Sequence, residues 1–151
     1  MSTASAISQP NLTIEALLGG RRVLQVKQRT ALDWVSVIRQ GLSSAAVDSL
    51  AKTIRVTQSE LAVALGIPER TLARRKKEGT LNSEESAKLV RLARVVGRAR
   101  ETFEDPDSAL DWLKSPNAAL SGTSPLSLLD TDIGAESVMD TLGRIEHGVF
   151  A

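Results

Sequence analysis

The chain has 151 residues, 42% of them apolar and 25% charged, which fits one globular domain or two small ones and excludes a disordered composition. It contains no cysteine, no tyrosine and a single histidine, and 3% of its residues are aromatic, so disulfides, thiol nucleophiles, cysteine-based zinc sites and most acid–base chemistry lack their usual parts. The 19 basic and 18 acidic side chains leave a formal net charge of only +1. They are sorted along the chain, however: six basic against three acidic in residues 1–54, eleven against five in 55–100, and two against ten in 101–151. A cationic middle and an anionic end point to two surfaces with two kinds of partner. No stretch approaches the ~20 apolar residues of a membrane span, and no basic-then-apolar leader opens the sequence, so a cytoplasmic location is expected.

Met1 to Leu12 are rich in Ser, Ala and Thr without periodicity and are expected to be mobile. Thr13 and Glu15 begin a short helix that should stop at Gly19-Gly20. From Arg29 to Gln40 apolar residues recur at helical spacing (Ala31/Leu32, Val35, Ile38), with Trp34 beside them, and Gly41 ends the run. Ser43 and Ser44 can cap a helix carrying Ala46, Val47, Leu50 and Ala51. Thr57-x-x-Glu60 is a capping box, in which each side chain satisfies the other residue's free backbone N–H. The helix it opens ends at Gly66, and Pro68 suits the first turn of another that runs to about Gly79. Asn82-x-x-Glu85 is a second capping box and leads a long helix toward Phe103, with Leu89, Val90, Leu92, Ala93, Val95 and Val96 among its apolar members. Asp105-Pro106 restarts a helix; Pro116-Asn117 and Ser121-Gly122 are turns; Ser124-Pro125 starts a short helical turn. The last helix is expected over Gly134 to Glu146, with Val138, Leu142 and Ile145 on one stripe and Gly148 as its stop. No segment alternates like a half-buried strand and no long repeat occurs, so the expected fold is all-α.

The informative stretch is Thr57 to Gly79, in which two short helices meet at a tight turn. Ala62 is small where the second helix approaches the first, Gly66 stands where a positive φ is needed, and Leu61, Leu65, Ile67 and Leu72 supply a buried wedge. Glu69, Arg70, Ala73, Arg74 and Lys77 lie three or four apart and project together from the second helix. Such a face suits the major groove: Arg70 and Arg74 can grip guanine O6/N7, Glu69 can accept from cytosine N4, and Ala73 leaves room at the groove floor. Gln58, Ser59, Arg75 and Lys76 are placed for phosphates. Alone, the run Arg74 to Lys77 would be only a solvated helix end. The whole stretch resembles the helix-turn-helix of Xre/Cro-like repressors. One departure is Arg75, where the family usually keeps an apolar residue: either its aliphatic stem packs there, or the recognition helix is rotated.

Beyond Phe103, the order Trp112-Leu113, Pro116-Asn117, Leu120, Gly122, Ser124-Pro125-Leu126, Leu128-Leu129, Thr131, Gly134, Val138, Leu142, Ile145 and Gly148 resembles the C-terminal domain of Xre antitoxins encoded beside RES-domain toxins. Glu104 and Ser121 stand where family members often have glycine. The residues themselves read first as a small core, with Asn117 and Thr131 capping turns or helices. That core does not explain the acidic balance, nor the apolar tail Val149-Phe150-Ala151, which either tucks onto its own domain or, as the resemblance implies, plugs the toxin's cleft. The resemblance implies that the toxin consumes NAD⁺, and that Trp112, Asn117, Leu120, Leu129, Thr131, Gly148, Val149, Phe150 and Ala151 meet it.

Catalysis by this chain is not expected. His147 has no Ser or Asp partner at a recognised spacing, Asp130-Thr131-Asp132 lacks the glutamate an EF-hand needs at Thr141, and Gly19-Gly20-Arg21-Arg22 lacks the parts of a phosphate loop. No cofactor or metal is expected. The reading is an antitoxin with an N-terminal tail and helices at 1–42, a helix-turn-helix domain at 43–101 and a toxin-binding domain at 102–151. Its expected partners are a RES-domain toxin, operator DNA of its own operon, and a second copy inside a hetero-oligomer. The alternative is a stand-alone repressor whose acidic domain dimerises or senses a ligand.

Overall fold

Both capping boxes form. The Thr57 hydroxyl accepts from the Glu60 backbone and the Glu60 carboxylate from the Thr57 backbone, and Asn82 and Glu85 do the same for the next long helix. A computed structural model describes residues 13–24 and 30–148. In chain order its helices are α1 (13–17), α2 (Arg21–Leu24), α3 (Asp33–Gln40), α4 (Ala45–Ile54), α5 (Gln58–Leu65), α6 (Glu69–Glu78), α7 (Ser83–Phe103), α8 (Pro106–Lys114) and α9 (Asp132–Glu146). Two 3₁₀ turns, Ala118–Leu120 and Pro125–Leu128, lie between α8 and α9. Among the described residues no strand occurs, and the all-α expectation holds. The expectations for Met1–Leu12 and for Val149–Ala151 lie outside the described residues.

α7 is the spine. Ten of its 21 residues are buried, and α3, α5, α8 and α9 all pack on it. The buried cluster is continuous from Ile14 in α1 to Leu142 in α9. The expected boundary at 101/102 therefore falls inside the last turn of a helix that both halves share.

Two expectations need correction. The helix placed at Arg29–Gln40 begins at Asp33, because Thr30, Ala31 and Leu32 are wound in tighter turns whose carbonyls accept from three residues on. Its buried face is also different: Trp34 and Val37 enter the core while Leu32 is 78% exposed and Val35 37%. The face is chosen by packing on α7, which the periodicity of so short a segment does not specify. The last helix starts at Asp132 rather than Gly134, with Thr131 as its N-cap accepting from the Gly134 backbone. Its buried residues are Ala135, Val138, Thr141 and Leu142, and Ile145 is only half-buried.

Glu104 and Ser121 both adopt the left-handed conformation, each at φ 58°. They keep the turns that glycine would make, at a cost of about 1 kcal/mol apiece.

Gly134 is required for a different reason. A Cβ there would lie 1.8 Å from the Leu128 carbonyl oxygen, because the first turn of α9 sits directly on the preceding 3₁₀ turn. Gly143, in the same helix, has nothing within 4 Å of its would-be Cβ. Gly134→Ala should cost about 3 kcal/mol through this overlap, whereas Gly143→Ala should gain up to about 1 kcal/mol of helix propensity. Urea denaturation of the two variants checks the contrast.

Candidate nucleic-acid interface and partner-binding module

α5 and α6 meet at Gly66, whose φ of 69° caps α5 in the left-handed conformation, and Pro68 stands at the N-cap of α6. Leu61, Leu65, Ile67 and Leu72 are buried, as the wedge requires. The pair is closed underneath by a short bridge: the Ser44 N–H donates to Gly79 and the Leu81 N–H to Leu42. The buried Leu42 N–H donates to the Ser86 hydroxyl of α7.

This framework sorts the side chains of α6 into two sets. Arg70, Ala73, Arg74 and Lys77 are exposed, and the three cations make no hydrogen bond or ion pair among the described residues. The others are engaged. Glu69 accepts from the Ser59 hydroxyl at 2.7 Å, linking the N-termini of α5 and α6. Lys76 Nζ lies 2.7 Å from Asp48 of α4 and donates to Gln58 Oε1 of α5 at 2.8 Å. Arg75 Nε donates to Glu85 of α7 at 2.8 Å and its Nη1 to Glu78 at 2.9 Å.

Arg75 thus settles the two alternatives left by its departure from the family pattern. Leu72 is fully buried, so the helix is not rotated. The guanidinium takes the apolar residue's place by pairing with a carboxylate, so the expected phosphate contact is replaced by an internal brace. Gln58, Ser59 and Glu69 stay on the surface but spend a hydrogen bond on neighbours.

Glu85 was visible in the sequence only as half of a capping box. In the structure its carboxylate, nearly buried, serves the Asn82 backbone and Arg75 together. Burial pushes its pKa up, but the hydrogen bonds from Arg75 and Asn82 and the charges of Arg75 and Arg74 outweigh that and hold it below the ordinary range. No spacing rule links Arg75 to Glu85, since the pairing depends on how α6 docks on α7.

In the acidic third, Trp112 is half-buried, with its ring 5.6 Å from that of Phe103. Leu120 and Leu129 are buried, so they shape this module from within rather than offer a surface to a partner. Asn117 and Thr131 cap, as expected: Asn117 accepts from the Ala119 N–H and Thr131 from Gly134. Gly148 is exposed at φ 76°, and the tail beyond it lies outside the described residues. α9 is tied to α7 at both ends, by Arg91 to Asp132 and by Arg98 to Glu146. The Arg98 hydrogen bond holds the Glu146 carboxyl below its ordinary range. The two modules also touch directly. Lys88 Nζ donates to the Gly66 carbonyl, Arg91 Nη2 to the Leu129 carbonyl, and Gly66 packs against Asp130.

Residues 33–94 match the family described as the antitoxin Xre-like helix-turn-helix domain, and residues 98–148 match the antitoxin Xre/MbcA/ParS C-terminal toxin-binding domain. An antitoxin Xre of Yersinia enterocolitica is 39% identical over 119 residues, spanning 78% of this chain and 80% of that one. The chain belongs to the Xre antitoxin family. The resemblance read from Trp112 to Gly148 is confirmed. A Sphingobium protein named Prs ADP-ribosylating antitoxin is 28% identical over 130 residues, 80% of this chain and 82% of its own. A chain of the M. tuberculosis MbcT–MbcA toxin–antitoxin complex shares the fold, with a TM-score of 0.53 at 23% identity over 72% of this antitoxin and 96% of that chain. The helix-turn-helix match begins at Asp33, so it takes in α3, which the sequence reading grouped with the N-terminal tail. Among the described residues no helix is long and apolar enough to cross a membrane, and no three His, Cys, Asp or Glu side chains are grouped to hold a metal.

The lowered pKa of Glu85 makes its contribution to stability fully present above the pKa of the unfolded chain. It is lost as the pH falls through the folded value. Glu85→Gln should therefore cost about 2 kcal/mol at pH 7, the scale of a charge-assisted hydrogen bond. The gap to wild type should narrow as the solution is acidified below the carboxylate range. Urea titrations at neutral and acid pH measure both effects.

Proposed function

We propose that this antitoxin neutralises a RES-domain, NAD⁺-consuming toxin by direct binding that occludes the toxin's active site, and that it represses its own operon by laying α6 in the major groove. The observation that carries the DNA half is the sorting of α6: every side chain that could brace the fold is engaged, and Arg70, Arg74 and Lys77 are left facing outward around the small Ala73. Arg70 and Arg74 read guanines, Glu69, steadied by Ser59, accepts from a cytosine amino group, and Gln58, Ser59 and Lys77 meet phosphates. The toxin half is supported by the match of residues 98–148 to a toxin-binding domain. NAD⁺ use by the toxin is supported by the relative whose name refers to ADP-ribosylation, a reaction for which NAD⁺ is the usual donor.

In this reading the antitoxin itself has no catalytic role and works in the cytoplasm. Half-buried Trp112, the surface turns at Asn117 and Thr131, and the segment from Gly148 through Val149, Phe150 and Ala151 face the toxin, with the tail entering its cleft. Leu120 and Leu129 hold that surface in shape. The exposed apolar Leu32 and Val35, at the start of α3, suit a second copy, giving a homodimer within a hetero-oligomer.

The experiment is reconstitution with the toxin encoded in the same operon, reading NAD⁺ consumption, alongside operator binding at several salt concentrations. Arg70→Ala with Arg74→Ala should weaken operator binding by about 3 kcal/mol, roughly a hundredfold, from two bidentate base contacts. Toxin inhibition should stay intact. The salt slope of wild type should be about 0.9 per phosphate met. Truncation after Glu146 should restore NAD⁺ consumption while sparing the fold and operator binding; full inhibition by the truncated chain would place the block elsewhere.

A further inference from the structure

Two adjoining cavities, of about 280 and 290 Å³, run along the junction of α7 and α9 and share Arg94 and Met139. One wall is a row of arginines on α7 at helical spacing, Arg91, Arg94 and Arg98; the other is Ala135, Glu136 and Met139 of α9. The outer two arginines are committed: Arg91 to Asp132 at the start of α9 and Arg98 to Glu146 at its end, with Glu101 also near Arg98. Arg94, between them, is exposed and has no hydrogen bond or ion pair among the described residues. It therefore stands as an unneutralised cation in a groove whose ends are held shut by ion pairs and whose floor is the pliable thioether of Met139.

We propose that this groove is a docking seam for the toxin, in which Arg94 takes a carboxylate of a toxin segment while apolar neighbours of that carboxylate rest on Met139. The inference rests on the toxin-neutralising reading above and adds a surface to it. Charge argues for this occupant. The rest of the acidic third repels a carboxylate, so Arg94 is the point on this face that attracts one, whereas DNA phosphates would meet Glu136 and Glu101 at the rim together with that acidic field. Position argues likewise: Arg98, Glu101, Ala135, Glu136 and Met139 all lie in the segment matched to a toxin-binding domain. A committed arginine gives little to a partner, because its charge is already satisfied. An uncommitted one in a cleft can form a bidentate pair without first breaking an internal one.

The test is calorimetric titration of the full-length antitoxin with the toxin from its own operon, for wild type, Arg94→Lys, Arg94→Ala and Arg94→Glu. Because Arg94 is exposed and makes no pair, all four should share one urea midpoint and one operator affinity. Arg94→Ala should bind the toxin about tenfold more weakly and Arg94→Glu about a hundredfold, with Arg94→Lys between wild type and Ala. If wild type binds and Arg94→Glu binds equally tightly, the seam is overturned and the toxin-neutralising reading survives. If Arg94→Glu leaves toxin affinity alone but breaks self-association in analytical ultracentrifugation, the groove joins two antitoxin copies and the proposal is likewise overturned. If wild type does not bind the toxin, the reading beneath it fails as well.

Discussion

The arrangement depends on one constraint, the burial of α7 along most of its 21 residues. A helix that long, with apolar residues on more than one face, cannot be covered by a single neighbour. It is covered by α5 from the reading unit and by α8 and α9 from the acidic module, with α3 and α1 completing the cluster. The two functions of the chain therefore share a core. Each module lacks the apolar cover to stand as an independent globule, and their relative placement is set by packing rather than by a linker.

Electrostatics then works on this shared spine at three points. At its N-terminus Glu85 sits where the helix dipole favours an anion, and it ties down Arg75 of the recognition helix. In the middle, Lys88 and Arg91 reach the Gly66 and Leu129 carbonyls, joining the turn of the helix-turn-helix to the segment that launches α9. Farther along, Arg98 holds the last residue of α9. The cations of residues 55–100 are thus not one uniform basic patch. Some hold the fold together and others face outward, and only the second group is available to a nucleic acid or a partner protein.

Much of the chain was legible because its signals are local. Capping boxes, a left-handed glycine at the α5–α6 turn and proline at helix starts act within a few residues, and each appears where the sequence places it. The short helix α3 departs from its expected face because eight residues of mixed polarity permit more than one buried side. Its true face was decided by α7, far away in sequence. Leu120 and Leu129 illustrate the same limit from the other side: a family pattern marks them as important without saying whether they touch a partner or fill the interior, and burial answers that.

What the amino-acid order determined alone was the helical class, the stops and starts of most helices, the division into cationic and anionic segments, and membership in the antitoxin family. All of these rest on interactions between residues a few positions apart, on composition or on the order of motifs. What only the tertiary structure decided was which charged side chains are spoken for. Arg75, Lys76, Arg91 and Arg98 look in sequence like Arg70, Arg74 and Arg94. They differ because a carboxylate from another helix has been brought within a few ångströms, and no rule of local spacing contains that distance.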